Sequence, residues 1–232
     1  MTFLATMKRL LPLLFLLTAC GQPLAPPSST TTPATATFSY RAAAASGAAV
    51  YAVDPAASLI AVTVRRAGLM ARLGHDHVVA SHTLDGYAAP GLGRADVSFR
   101  VDQLTVDEPD LLRAADIPSD RSPEAIAGTR KNMLGPVLAA ARYPVVTLHA
   151  QRRDANHLDV AVTLHGVTRW LALPAALQVD AAQMTASGTA RLKQTDFGIV
   201  PFSVGGGLLA VADDLDIRYR IVARRWTSAA KP

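Results

Sequence analysis

The amino-acid sequence predicts an all-β fold, an antiparallel arrangement of about eight strands with one helix covering it. Three observations lead there. Beyond Val50, apolar and polar residues alternate with a period of two; Gly, Pro, Asp and Asn cut the alternation into short runs; and a single stretch carries helical periodicity. Each run is polar on one side, which is the pattern of antiparallel strands with one solvated face and disfavours a doubly wound parallel sheet.

The chain has 232 residues, half of them hydrophobic, enough for one sizeable domain and short for two. Residues 1–19 place Lys8 and Arg9 before an apolar run from Leu10 to Leu17, about half the length a membrane-spanning helix needs. They read as a secretory signal. Leu17-Thr18-Ala19-Cys20 brings small residues up to a cysteine in the manner of a bacterial lipoprotein box, so Cys20 is the expected lipidation site; the alternative is a plain signal peptide with Cys20 near the cut. Cys20 is the only cysteine, so an internal disulfide is excluded. The expected location is the bacterial cell envelope, lipid-anchored, with the domain on the periplasmic or extracytoplasmic side.

Loss of the leader removes Lys8 and Arg9 and no acid, lowering the formal charge by two, from +5 to +3. No Lys/Arg block with interleaved aromatics occurs, which argues against nucleic acid as a partner. Residues 20–49 are rich in Pro, Ser, Thr and Ala, with too few large apolar residues for a packed core, and predict a flexible tether.

The strands follow over residues 50–226, with 227–232 as a tail. YAVD, SLIAVTVRR and HVVASHTLDG come first, then DVSFRVD, YPVVTLHA, HLDVAVTL, WLALPAALQV, MTASGTARLK and the run around Ile217. Strand parity places Ile60, Val62, Val64, Val97, Phe99, Val101, Val146, Leu148, Val160, Val162, Leu164, Ile217, Tyr219 and Ile221 on the inner face. The helix lies in SPEAIAGTRKNMLGPVLAAARYP. Ser122 suits the N-cap, Pro123 the first helical position, Ile126, Arg130, Met133 and Leu134 recur at helical spacing, and Gly135-Pro136 breaks or kinks the segment. One-sided strands in this number leave two architectures, a pair of packed sheets with a solid core or a barrel whose apolar face lines its interior. A barrel would hold a small apolar ligand; a sandwich would serve as a ligand-free interaction module.

Asp196-Phe197-Gly198-Ile199 lacks the phosphate loop and catalytic-loop motifs of a kinase, so Phe197 is expected to be a packing anchor and Gly198 a turn. Gly205-Gly206-Gly207 reads as a hairpin or bulge. His149 is expected to point outward, His157 to belong to a turn, and His165 to be a solvent-facing turn residue. His75 and His77, in Gly74-His75-Asp76-His77-Val78-Val79, share a face if that stretch is extended, whereas Asp76 and His82 have the opposite parity. The pair suits headgroup contacts at a barrel mouth, or the start of a metal site for an enzyme that would still need a third ligand. No metal, no cofactor and no catalytic residue is expected.

YAVDPAASLIAVTVRRAG, GHDHVV, RYPVVTLHA, LHGVTR, SGTARLKQTDFGIVP and GGGLLAVADDLDIRYRIVA occur in this order between Val50 and Ala223. Together they resemble the YceI-like family; between Leu104 and Ala127 the chain departs from its pattern. The resemblance implies an extended lipocalin-like barrel and a non-enzymatic role, binding or carrying a polyisoprenoid lipid such as a quinone or polyprenyl carrier in an apolar lumen. It makes the fourteen inward residues the expected ligand-binding lining and the isoprenoid a non-covalent ligand.

Overall fold

The structure, a computed structural model, describes residues 38–227. The leader, Cys20 and most of the tether lie outside the described residues. Among those described are thirteen strands: β1 (Tyr51–Val53), β2 (Leu59–Ala67), β3 (His77–Ser81), β4 (Asp85–Ala89), β5 (Arg94–Arg100), β6 (Thr105–Val106), β7 (Val145–Arg152), β8 (His157–Leu164), β9 (Val167–Pro174), β10 (Ala176–Val179), β11 (Gln183–Lys193), β12 (Ser203–Val204) and β13 (Leu209–Arg225). All pair antiparallel in one sheet.

The number exceeds eight because several expected strands are interrupted. Pro55 opens a 3-10 turn, Pro55–Ala57, that separates β1 from β2, yet both pair with the same long strand β13. Residues 82–84 likewise separate β3 from β4, and Ala175 separates β9 from β10.

The hydrogen-bonded ladder does not close. Its main path runs β6-β3-β2-β13-β1-β4-β5-β7-β8-β9, while β11 pairs with β13 and β10. β10 joins β11 from Ala176 opposite Ser187 to Val179 opposite Met184; residues 167–174 of β9 make no ladder with β11. A seam therefore runs between β9 and β11. Tyr219 of β13 crosses it, reaching over Gly188 to donate its hydroxyl to the Pro174 carbonyl at 2.5 Å. Gly188 is required there, because a Cβ would lie 2.3 Å from that carbonyl oxygen and 2.7 Å from the tyrosine oxygen.

Among the described residues there are three α-helices rather than one: α1 (Tyr40–Ala45), α2 (Pro109–Ala114) and α3 (Pro123–Asn132). α1 corrects the tether boundary. Phe38 to Ala49 pack rather than trail, with Tyr40 and Ala43 buried against Val50 and Ala89 and flanked by Tyr87 and Trp226. α2 arises in the stretch that departs from the family pattern and buries Leu112 against Ala61 and Val78 on the outer face of β2 and β3. α3 starts as expected, with Ser122 Oγ accepting from the Ala125 amide and Pro123 in the first turn. Around Gly135-Pro136 the α-helical geometry breaks, and the segment widens into a π-helical turn, Met133–Val137, which accommodates the proline that lacks an amide hydrogen.

The β8–β9 connection is the two-residue turn His165-Gly166, both at positive φ, as a type I′ hairpin demands. Phe197 is fully buried with Ile199 against Val160 and Val162, and Gly198 closes its 3-10 turn in the left-handed region, so both expectations for this motif hold. Gly205–Gly207 forms the β12–β13 hairpin turn, all three at positive φ.

Candidate functional site

The sheet wraps around a cavity of about 360 Å³, within the range of roughly 300–1,000 Å³ typical of small-ligand sites. All fourteen residues assigned inward by parity line it. Strand alternation also brings in residues that were not singled out: Met184, Ala186 and Leu192 of β11, Leu171 and Leu173 of β9, and Leu158 of β8. Met133, Val137 and Leu138 reach the cavity from the end of α3 and its π-helical turn, so this segment covers one end of the lumen.

Accessibility distinguishes a hollow interior from a solid core. Val62, Val64, Leu148, Leu164, Leu171, Leu173, Ile217 and Ile221 all point inward yet are only partly buried. In a close-packed sandwich such side chains would be sealed by their counterparts. Here they face open space, and the barrel reading is the one that describes it.

The lining is apolar except for a few groups, most of them toward the α3 end: His77, Ser81, Thr129, Asn132 and Gln194. Their roles differ. Gln194 is committed to the Ala212 carbonyl at 2.8 Å, while the buried Ser81 hydroxyl has no hydrogen-bond partner among the described residues.

His77 opens β3 and lines the lumen, with its Nδ1 2.7 Å from Asp107 Oδ2. Asp107 has a fully buried side chain, accepts the Val78 amide at 2.9 Å, and lies 3.6 Å from the Arg121 Nε. Burial alone would raise the Asp107 carboxyl pKa. The hydrogen bonds from His77 and Val78 and the charges of His77 and Arg121 outweigh it, leaving the carboxyl below its ordinary range. An ionised carboxylate only accepts, so Nδ1 carries the proton and Nε2 is the nitrogen left for another partner.

His75 does not join it. Residues 75 and 76 lie outside the strand and His75 is exposed, and of the two histidines only His77 lines the lumen. The expectation of a two-histidine face depended on an extended backbone through Asp76. The β2–β3 ladder begins only at His77, and at Asp76 it is the side chain that bonds β2, accepting from the Arg66 amide at 2.9 Å and pairing with Arg65 at 3.0 Å. Burial acts to raise the Asp76 pKa, but these donors hold the carboxyl below its usual value.

His82 bonds Glu108 at 2.9 Å on the outer surface. His149 is exposed as expected, bonded to Asp96, and His157 begins β8 beside Asp154. His165 differs from its expectation. It is half-buried, stacked edge-on against Tyr143, with Nδ1 3.3 Å from the Phe197 carbonyl oxygen. Among the described residues, no three His, Cys, Asp or Glu side chains converge as a metal site.

The lumen wall is thinnest at the seam. Leu171, Leu173, Ala190 and Ile217 line both the lumen and an outer groove of about 780 Å³. Burial raises the Tyr219 phenol pKa, so the hydroxyl that bridges this seam keeps its proton at neutral pH.

Comparison with known proteins gives a family and a fold. The model of the YceI-like domain matches residues 51–223. Among solved structures, the chain is similar to a polyisoprenoid binding domain from Saccharophagus degradans implicated in plant cell wall breakdown, with 12% identity and a TM-score of 0.55, over 76% of this chain and 98% of that one. It is also similar to Burkholderia cenocepacia BcnA, with 16% identity and a TM-score of 0.50, over 74% of this chain and 99% of that one. At these identities the structural likeness is one of fold. No curated protein matches the chain.

Proposed function

The chain belongs to the YceI-like family, and from that premise we propose that its lumen binds or carries a polyisoprenoid lipid. The observation that carries the reading is the partly buried, inward-facing apolar lining. The similar domain from Saccharophagus degradans, described as polyisoprenoid-binding, supports the same ligand class.

Burying an isoprenoid needs no polar recognition along its length. At ~0.8 kcal/mol per methylene-sized group, each five-carbon unit withdrawn from water contributes roughly 4 kcal/mol before ordering costs. Polar contacts are needed only at the headgroup, and His77 is the residue for that role. With Nδ1 held by Asp107, Nε2 accepts from a headgroup hydroxyl; protonated, it donates to a carbonyl or phosphate oxygen. The role is that of a binding protein. A metal-dependent enzyme built on His75 and His77 is disfavoured by the exposure of His75 outside the lumen lining and the commitment of His77 to Asp107.

The same proposal places the domain outside the cytoplasm, anchored to a membrane by an acylated Cys20. The basic start, short apolar run and small residues before Cys20 support it.

The test is organic extraction of full-length protein purified from its native host, with mass spectrometry of the extract. The expected result is a stoichiometric polyprenol, polyprenyl phosphate or isoprenoid quinone, lost in a folded Val162→Asp, Ile217→Asp variant. Repeated extracts without an apolar chain, together with failure to load a polyprenol or a quinone in vitro, would overturn the reading.

A further inference from the structure

Six of the ten large hydrophobic side chains exposed among the described residues gather at one end of the barrel, where scattered single ones would be ordinary. Leu69, Met70 and Leu73 lie on the β2–β3 connection; Val200, Val204 and Leu208 lie on the segment from β11 to β13. Leu69 is 90% exposed, Val200 79% and Leu73 57%.

The two segments form one surface. The Met70 amide donates to the Leu208 carbonyl at 2.8 Å. Gly68, at φ +91°, passes so close that a Cβ would sit 2.6 Å from the Gly207 and Leu208 carbonyl oxygens. This surface adjoins the interior, because Phe202 of the second segment, and Val64 and Val211 of the strands β2 and β13 that lead into the two segments, line the lumen.

Its charge is equally one-sided. Residues 198–211 contain no ionisable side chain, and residues 68–74 contain only Arg72, which is exposed and has no ion-pair partner among the described residues. Arg65 and Arg66, just behind the loops, are held by Asp76. Apolar loop tips with a single free cation and no acid match the interfacial zone of a bilayer. There the hydrocarbon boundary takes the leucines and valines, and lipid phosphates take the arginine.

We propose that this end of the barrel docks on a phospholipid bilayer through the tips of residues 68–74 and 200–208. Docking requires no acyl anchor. The apolar rim, continued by Phe202 and Val211 into the lumen, gives an isoprenoid tail a path from the bilayer that avoids bulk water. That use of the surface rests on the ligand reading above; the docking itself does not.

The test exploits the single cysteine. In full-length Cys20→Ser protein, Leu69→Cys, Val200→Cys and Gly91→Cys each give one labelling position for an environment-sensitive fluorophore. Gly91 is exposed on the β4–β5 turn, at the opposite end of the barrel, and serves as the control. With phosphatidylcholine vesicles containing phosphatidylglycerol, the probes at 69 and 200 should shift to the blue and brighten, while the probe at 91 should not. Leu69→Asp with Val200→Asp, still folded by circular dichroism, should weaken vesicle co-sedimentation by about tenfold or more.

Equal responses at all three positions, or none at 69 and 200, would overturn the proposal. So would a concentration-dependent blue shift at 69 without vesicles, which would assign the surface to a second copy of the chain. Lipid extraction reads the ligand separately, so failure of docking and failure of isoprenoid binding are distinguishable.

Discussion

Replacing Tyr219 by Phe removes one oxygen and leaves the ring, so it isolates the hydrogen bond across the β9–β11 seam. That bond, 2.5 Å to the Pro174 carbonyl, is made where the two strands share no ladder. A buried hydrogen bond of this kind contributes about 0.5–1.5 kcal/mol net, with a further penalty if the carbonyl is left unpartnered, so a total loss of about 1–2 kcal/mol is expected. For a domain of this size that lowers Tm by roughly 2–8 °C. Thermal unfolding followed by circular dichroism measures the shift, and hydrogen exchange locates it. Protection should fall around residues 171–174 and 188–191 and remain unchanged in β7 and β8. A Tm within about 1 °C of the parent, with no local change in exchange, would refute the claim that Tyr219 closes the seam.

Three other outcomes follow from the same structure. Gly188→Ala forces a Cβ against the Pro174 oxygen and should destabilise by more than Tyr219→Phe, measured in the same melts. Phe197→Ala, at a fully buried position packed with Ile199 and Val160, should cost about 3–5 kcal/mol in urea denaturation. Asp107 has a folded-state pKa below its unfolded one, so its contribution is complete above the unfolded value of about 3.9 and is lost as pH falls through the folded one. The parent should therefore lose stability on acidification below about pH 4, and Asp107→Asn, weaker at neutral pH, should lose less over the same interval.

The fourteen inward residues were legible because a strand places every second side chain on one face, and their runs carry large apolar residues at that spacing. β11 holds the same signal in muted form. Met184, Ala186, Gly188, Ala190 and Leu192 alternate with Thr185, Ser187, Thr189 and Arg191, but small residues blunt the contrast. The β8–β9 turn and the start of α3 were equally local matters. For His75 parity gave less, since the β3 ladder begins only at His77 and the Asp76 side chain, not its backbone, bonds the Arg66 amide.

The sequence by itself determined strand alternation, the helix start, the turn residues and the apolar character of the inner face. Each of these depends on residues within one or two turns of chain, where side-chain stereochemistry acts directly. Only the tertiary structure decided that this face encloses open space. A solid core and a lumen need the same alternation and differ in how far apart opposite strands stand. The same holds for the pairing of His77 with Asp107, thirty residues apart, and for the seam, where Gly188, Pro174 and Tyr219 meet from three different strands. Such contacts arise from how the sheet curls and where its ladder stops, and no local pattern in the chain encodes them.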